Sequence, residues 1–252
     1  MVNWNERLRA SGLHLCLSML VAVFAAVLVF AAWYPYPYRE ISGGRDLFML
    51  IVGVDVVLGP LITLAIFNRN KPWTELRRDL GVVALLQVAG LAYGLWTLAV
   101  ARPVHLVFEV DRFRVVHAVD VPEELMDRVP PQIKALPWTG PTLLAARPFR
   151  SETEKTDATI AALQGLQIGA RPDFWQPYAQ AQGAVRQAAM PVEQLKSRFK
   201  ERAADIDAVL RQSGRNSADT AYLPLVGRKS FWTAFIDPAT SEVVGFMPLD
   251  PF

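Results

Sequence analysis

The chain has 252 residues, enough for one large domain or two smaller ones, and is 52% hydrophobic with only 20% charged residues and a formal net charge of +2. From residue 102 onward Lys+Arg and Asp+Glu count 18 each, so neither half carries the basic excess of a nucleic-acid binder. The single cysteine, Cys16, lies early in an apolar run, so the remainder can form neither a disulfide nor a thiolate metal site.

Three apolar runs lie before residue 101, at about 13–34, 47–67 and 81–100. Each is about 20 residues, the length that crosses a ~30 Å hydrocarbon core. Trp33, Tyr34, Tyr36 and Tyr38 at one end and Trp73 at the other match interfacial aromatic belts. The first run is too long for a signal-peptide core, and Ala31-Ala32 runs straight into Trp33, so an uncleaved anchor is expected. Arg7 and Arg9 in the tail, and Arg69, Lys71, Arg77 and Arg78 in the second loop, outweigh Arg39 and Arg45 in the first. This bias places the tail and second loop in the cytoplasm and residues 102–252 across the membrane, in the periplasm of a bacterium. Two domains follow: a three-span unit over 1–101 and an exported unit over 102–252.

The stretch DVVLGPLITL, residues 55–64, interrupts the second run with an acid and a Gly-Pro pair. A charged side chain at mid-bilayer costs roughly 2.5–3.5 kcal/mol on insertion scales, so Asp55 should face the bundle interior. Protonated, it could donate to Gln87, Thr97 or Ser18, and Gly59-Pro60 would free a carbonyl and kink the helix. Asp55 is then a pin between helices or a notch for a partner helix, rather than a proton or ion relay. Gly90 and Gly94 in the third run, and Ala22 and Ala26 in the first, are small residues four apart, a spacing that lets helices approach in lipid. Such faces serve a partner or a homo-oligomer.

The exported half reads as α+β with an antiparallel sheet. Residues 104–119 are rich in Val and Phe and read as two strands or one bent strand, turning at Glu109, Asp111 and Arg112. A helical turn follows Pro122, and prolines and glycines keep 130–141 irregular. Residues 151–166 suggest a short helix, and Phe174, Trp175 and Tyr178 anchor the next segment. Pro191 opens a helix that Gly214 closes, with Val192, Leu195, Phe199, Ile206, Val209 and Leu210 near 3.6-residue spacing. Three strands end the chain.

No chemistry-bearing constellation emerges. His14, His105 and His117 lack a third ligand at matched spacing, and no nucleophile elbow, phosphate loop, dinucleotide fingerprint or H-E-x-x-H motif occurs. Glu123-Glu124 and Asp205/Asp207 suit helix starts and solvated faces. The expectation is no catalysis, no cofactor and no metal. Two other classes remain on the residues alone. One is a membrane-anchored periplasmic enzyme, which needs a polar cleft; the other is a small-solute transport component, which needs a wet path past Asp55.

The run LFMLIVGVDVVLGPLITLAIFN, then RRDLGVVALLQVAGLAYGLWTLAVARPVHLVFEVDRFRVV, resembles the TfpX/TfpZ family of type IV pilin accessory proteins over roughly residues 10–120. The resemblance implies an inner-membrane, chaperone-like protein without catalytic residues that helps a cognate major pilin accumulate and assemble. A type IV pilin before assembly is itself one transmembrane helix with a periplasmic head, and its helix carries a glutamate near the start of the apolar segment. On that basis Asp55, Gly59, Pro60, Gln87, Gly90 and Gly94 are candidates to meet the pilin helix. Glu109, Asp111, Arg112 and Phe113 are candidates to meet its head.

Overall fold

The computed structural model describes residues 4–68 and 71–252. Arg69, counted above among the cytoplasmic basic residues, lies outside the described residues. Helix α1 (Trp4–Val27) continues as a π-helical segment, Leu28–Trp33, and a short helix α2 (Tyr38–Ile41) leads into α3 (Gly44–Ile66) and α4 (Trp73–Val100). These three long helices have the length and apolar composition to cross a membrane. The first and third begin before the apolar runs do, because the polar turns at 4–12 and 73–80 are also helical. Outward-facing Leu13, Phe24, Leu50, Leu85 and Leu86 are all more than half exposed, a surface that suits lipid and not water.

Helix α3 is the middle element, with α1 and α4 packed along it on either side. The bundle closes at one end, where Val29, Trp33 and Tyr34 pack with Phe48 and Leu98. There the Tyr34 hydroxyl donates to the Leu98 carbonyl at 3.0 Å. The same end meets the second domain. Gly140 N–H donates to the Ala32 carbonyl at 2.6 Å, and Arg102, just past α4, donates to the Ala99 and Pro137 carbonyls.

The rest of the chain builds one sheet with helices on it. Its strands are β1 (Pro103–Glu109), β2 (Arg112–His117), β3 (Thr142–Ala146), β4 (Trp175–Pro177), β5 (Met190–Pro191), β6 (Ala221–Val226), β7 (Phe231–Ile236) and β8 (Val243–Met247). The spatial order is β4-β3-β1-β2-β6-β7-β8, with β5 beside β6. The expected antiparallel sheet is in fact mixed, since β1 pairs with β3, and β2 with β6, in parallel. Parallel pairing needs a long crossover, and both of these pairs are joined by long connections. Strand β3 begins just past the irregular 130–141 segment, in residues given no element in the sequence.

Helix α5 (Glu152–Leu163) matches its expectation and is capped by the Ser151 hydroxyl, which accepts from Glu154 N–H at 3.1 Å. A short helix α6 (Gln182–Ala188) precedes β5. The single helix expected after Pro191 is two, α7 (Val192–Arg198) and α8 (Ala203–Gln212), separated at Phe199, whose ψ of 62° leaves the helical region. Val192, Leu195, Ile206 and Leu210 still bury one common face, against Tyr222 and Phe235.

Strand β1 is buried along its whole length, as a central strand covered on both faces must be. One core joins Leu106, Phe108, Phe113, Leu223, Leu225 and Ile236, and it also takes in Ile41. That residue ends the short helix α2 in the connection between α1 and α3, yet it is fully buried in the sheet core, with Tyr38 packed alongside and stacked edge-on to Phe246. Lys229 N–H donates to the Ile41 carbonyl at 3.3 Å, and Lys229 Nζ pairs with Asp46 at the start of α3. The first loop therefore clamps the bundle to the sheet.

Candidate functional site

The candidate residues in the helices converge on α3. Ile51, Asp55 and Gly59, one turn apart on α3, face Gly94, Gly90 and Gln87 on α4. A Cβ on Gly94 would come within 2.5 Å of Ile51, and one on Gly90 would lie 3.9 Å from Asp55 Oδ1. A Cβ on Gly59 would collide with the Gln87 amide. The small residues thus let α4 approach α3 within the chain, where their spacing alone suggested a partner or a second copy.

The predicted hydrogen bonds of Asp55 take a different form. Gln87 Nε2 donates to the Asp55 backbone carbonyl at 3.1 Å, and Thr97 Oγ1 donates to Tyr93 in its own helix. The Asp55 carboxyl makes no hydrogen bond to Ser18, Gln87 or Thr97. Pro60 marks a second polar tie, because its carbonyl accepts from Ser11 Oγ of α1 at 2.8 Å. One turn further along, His14 Nδ1 meets Thr63 Oγ1 at 2.6 Å.

Away from the closed end, α1 and α4 part over α3 and leave a groove of about 160 Å³. Its walls are His14, Leu17, Ser18 and Val21 with Ala22 on α1 and Ala84, Gln87, Val88 and Leu91 on α4; Val52 and Asp55 form the floor. Asp55 also borders a second hollow on the far side of the α3–α4 seam, beside Val54, Gly90 and Tyr93. The half-buried carboxyl is therefore reachable from between the helices. The groove can take an apolar helix face and offer it one hydrogen-bonding acid. His14 and Ser18 both line it, but His14 Nδ1 is engaged by Thr63 Oγ1 and no hydrogen bond joins the two.

In the sheet, the four candidates separate. Asp111 and Arg112 form an exposed ion pair at 2.7 Å on the β1–β2 turn, and the Arg112 guanidinium lies 4.9 Å from the Phe252 ring. Glu109 is buried, accepting from Arg114 Nε at 2.8 Å and from Gly169 N–H at 2.5 Å. Phe113 is fully buried beside Phe108, ring centroids 5.7 Å apart. Alternation along β2 turns Phe113 inward, so it cannot present the contact surface expected of it.

The histidines also differ. His105 Nε2 donates to the Ala135 carbonyl at 2.8 Å, and its Nδ1 then accepts from Thr142 Oγ1 at 2.6 Å, so neither nitrogen is free for a metal. Burial pushes its pKa down to about 4, against a smaller upward effect of the Ala135 bond. His117 Nδ1 donates to Asp120 Oδ2 at 2.9 Å. Burial raises the Asp120 carboxyl, but the bonds from His117 and the nearby Arg228 guanidinium outweigh it and hold the group below its ordinary value. Among the described residues, no three His, Cys, Asp or Glu side chains gather to hold a metal. Sequence reasoning missed the His117–Asp120 pair, although an H-x-x-D spacing at the end of a strand was there to be seen.

Residues 2–43 match the family described as fimbrial assembly protein FimB. Most of the chain aligns with two curated proteins of Dichelobacter nodosus. It is 35% identical over 235 residues to the fimbrial assembly protein of serogroup I, covering 91% of this chain and 90% of that one. It is 34% identical over 234 residues to the serogroup E1 protein, with the same coverage. The chain belongs to the fimbrial assembly protein family. A shorter relative, of serogroups C1 and C2, is 39% identical over 122 residues, 48% of this chain and 91% of its own length. No solved structure matches.

Proposed function

We propose that this chain acts in pilus assembly, as an inner-membrane accessory protein that holds a cognate type IV major pilin before it enters the pilus. In this reading α1, α3 and α4 span the membrane, the N-terminal tail is cytoplasmic, and residues 102–252 form a periplasmic domain. The role is chaperone-like: it binds, shields and hands on, and does no covalent chemistry. Membership in the fimbrial assembly family supports the process, and the groove between α1 and α4 carries the proposed contact.

Asp55 is the observation that supports a partner helix. An acid deep in a span is costly unless something meets it, and no described residue hydrogen-bonds its carboxyl. A pilin helix lying in the groove would cover apolar Leu17, Val21 and Val88 and bring its own polar group to Asp55. Between two carboxyls one shared proton gives a hydrogen bond. The pilin head would then stand beside the sheet, within reach of the exposed Asp111–Arg112 turn.

The test is made in cells that express the cognate pilin. Ala22→Phe fills the groove and Asp55→Ala removes its acid; each should lower pilin level and surface piliation while the variant chain itself accumulates normally. Unchanged pilin and pili in both variants would remove the groove from the mechanism.

A further inference from the structure

A second site lies in the sheet domain, outside anything assigned above. It is a cleft of about 440 Å³ walled by β2, the β6–β7 turn and the loop after α5. Four charged or titratable side chains line it: Arg114, His117, Asp120 and Arg228. His117 is 1% exposed, and its Nδ1 is fixed by Asp120. Its other nitrogen, Nε2, is buried and has no hydrogen-bond partner among the described residues. A buried imidazole nitrogen held in place from behind, without a partner in front, is the mark of a position made for a ligand.

The charges around it indicate the ligand's sign. Arg114 is paired with the buried Glu109 and also reaches Gln167 Oε1 at 3.3 Å. Arg228 bonds Asp120 Oδ1 at 2.7 Å through one nitrogen and is 43% exposed, so most of its donors face the cleft and solvent. These two pairs are balanced; with Nδ1–H given to Asp120 the unpartnered Nε2 is an acceptor, so it suits a ligand hydroxyl, while the unpaired N–H groups of Arg228 suit an anion. The donors suit a singly charged oxyanion, and a phosphodiester fits guanidinium geometry.

Position identifies the source. Ala118 N–H donates to the carbonyl of Arg102, the second residue past α4, at 2.9 Å. Across the cleft, Gly227 packs on Ile41, three residues before α3 begins. The cleft therefore opens at the level where the long helices leave the membrane, the level of phospholipid headgroups. An apolar side chain stands exposed at its wall: Val119 is 54% exposed. We propose that this cleft binds an anionic, hydroxyl-bearing phospholipid headgroup such as that of phosphatidylglycerol, with Arg228 donating to its phosphodiester, His117 Nε2 accepting from its hydroxyl and Val119 dipping among the acyl chains. The inference rests on the reading of α1, α3 and α4 as membrane spans.

Native mass spectrometry of the full-length chain, released from micelles doped with phosphatidylglycerol, tests it. A one-to-one lipid adduct is expected, weakened about tenfold or more in the double variant His117→Asn, Arg228→Gln, the loss expected of charge-assisted hydrogen bonds. Arg150→Gln, at an exposed arginine elsewhere, should leave the adduct intact, and an unchanged melting temperature shows that the double variant is folded. An adduct that survives the double variant overturns the site. Binding of inorganic phosphate without any lipid adduct overturns the lipid source and leaves a soluble phosphate site. Release of the chain from cell membranes by carbonate, without detergent, would overturn the span reading and the lipid source with it.

Discussion

At the scale of single residues, two groups in the helices divide the work between them. Gln87 ties α4 to the main chain of α3, whereas Asp55 presents a carboxyl that no described residue holds. The two should respond differently to substitution. Gln87→Ala loses one interhelical hydrogen bond, about 0.6–1.7 kcal/mol, and should lower the melting temperature of the chain in detergent. Asp55→Ala loses no such bond and should leave melting unchanged or raise it, while pilin accumulation falls. A matched loss of stability in both would make Asp55 a pin. In the sheet, His105 gives a pH signature of its own. Its folded pKa of about 4 lies below the unfolded value near 6.5, so the unfolded chain takes up a proton first as pH falls. The stability it contributes is present above pH 6.5 and is lost as pH falls toward 4, on the order of 3 kcal/mol in all. Melting followed from pH 7 to 4 should show that slope, and His105→Asn should flatten it.

At the scale of elements, the seam between α3 and α4 depends on side chains that are absent. Gly94→Val would push a branched side chain into Ile51, where a Cβ alone would come within 2.5 Å, and overpacking of this kind costs about 1–3 kcal/mol. The variant should melt lower in detergent; a neutral result would mean the helices are not in contact there. The second element-scale prediction concerns the loop clamp. Ile41→Ala, although placed between two long helices, should cost about 2–5 kcal/mol in the stability of the sheet, because its side chain is part of that core. Tryptophan emission from Trp175 and Trp232 on heating would read it.

The three long helices were legible in the sequence because apolar runs of span length, with a single acid among them, leave little but a long helix to read. The β1–β2 hairpin and the last three strands were legible from β-branched and aromatic residues flanking a turn. Strand β3 was not, since Pro137, Gly140 and Pro141 crowd its start and its pairing with β1 is decided by distant residues. Ile41 could not be assigned to the sheet core either, because nothing local in YREIS distinguishes a loop from an inserted anchor. The small residues on α4 were found by their spacing, but spacing does not say which helix they face. Asp55, Gln87 and the glycines did come together, whereas Phe113 went to the core because strand alternation, not hydrophobicity, sets the face.

At the scale of the whole molecule, the ends of the helices sort by charge. Trp33, Gly44 and Val100 lie at the end that meets the sheet, and Arg7, Arg9, Lys71, Arg77 and Arg78 lie toward the other end of the helices. A sheet fixed to one end of a bundle by Ile41, Arg102 and the Lys229–Asp46 pair cannot rotate freely about it. Groove and sheet are thus held in one fixed relation, as the proposed holder of a pilin with one helix and one head requires. The most direct measurement of that claim is site-specific photocrosslinking in cells expressing the cognate pilin, with the reactive residue placed at Val52 on the groove floor and, separately, at Arg112 on the β1–β2 turn. Pilin captured at both positions, through its helix at Val52 and its head at Arg112, is the predicted result. Abundant pilin captured at neither position would contradict it.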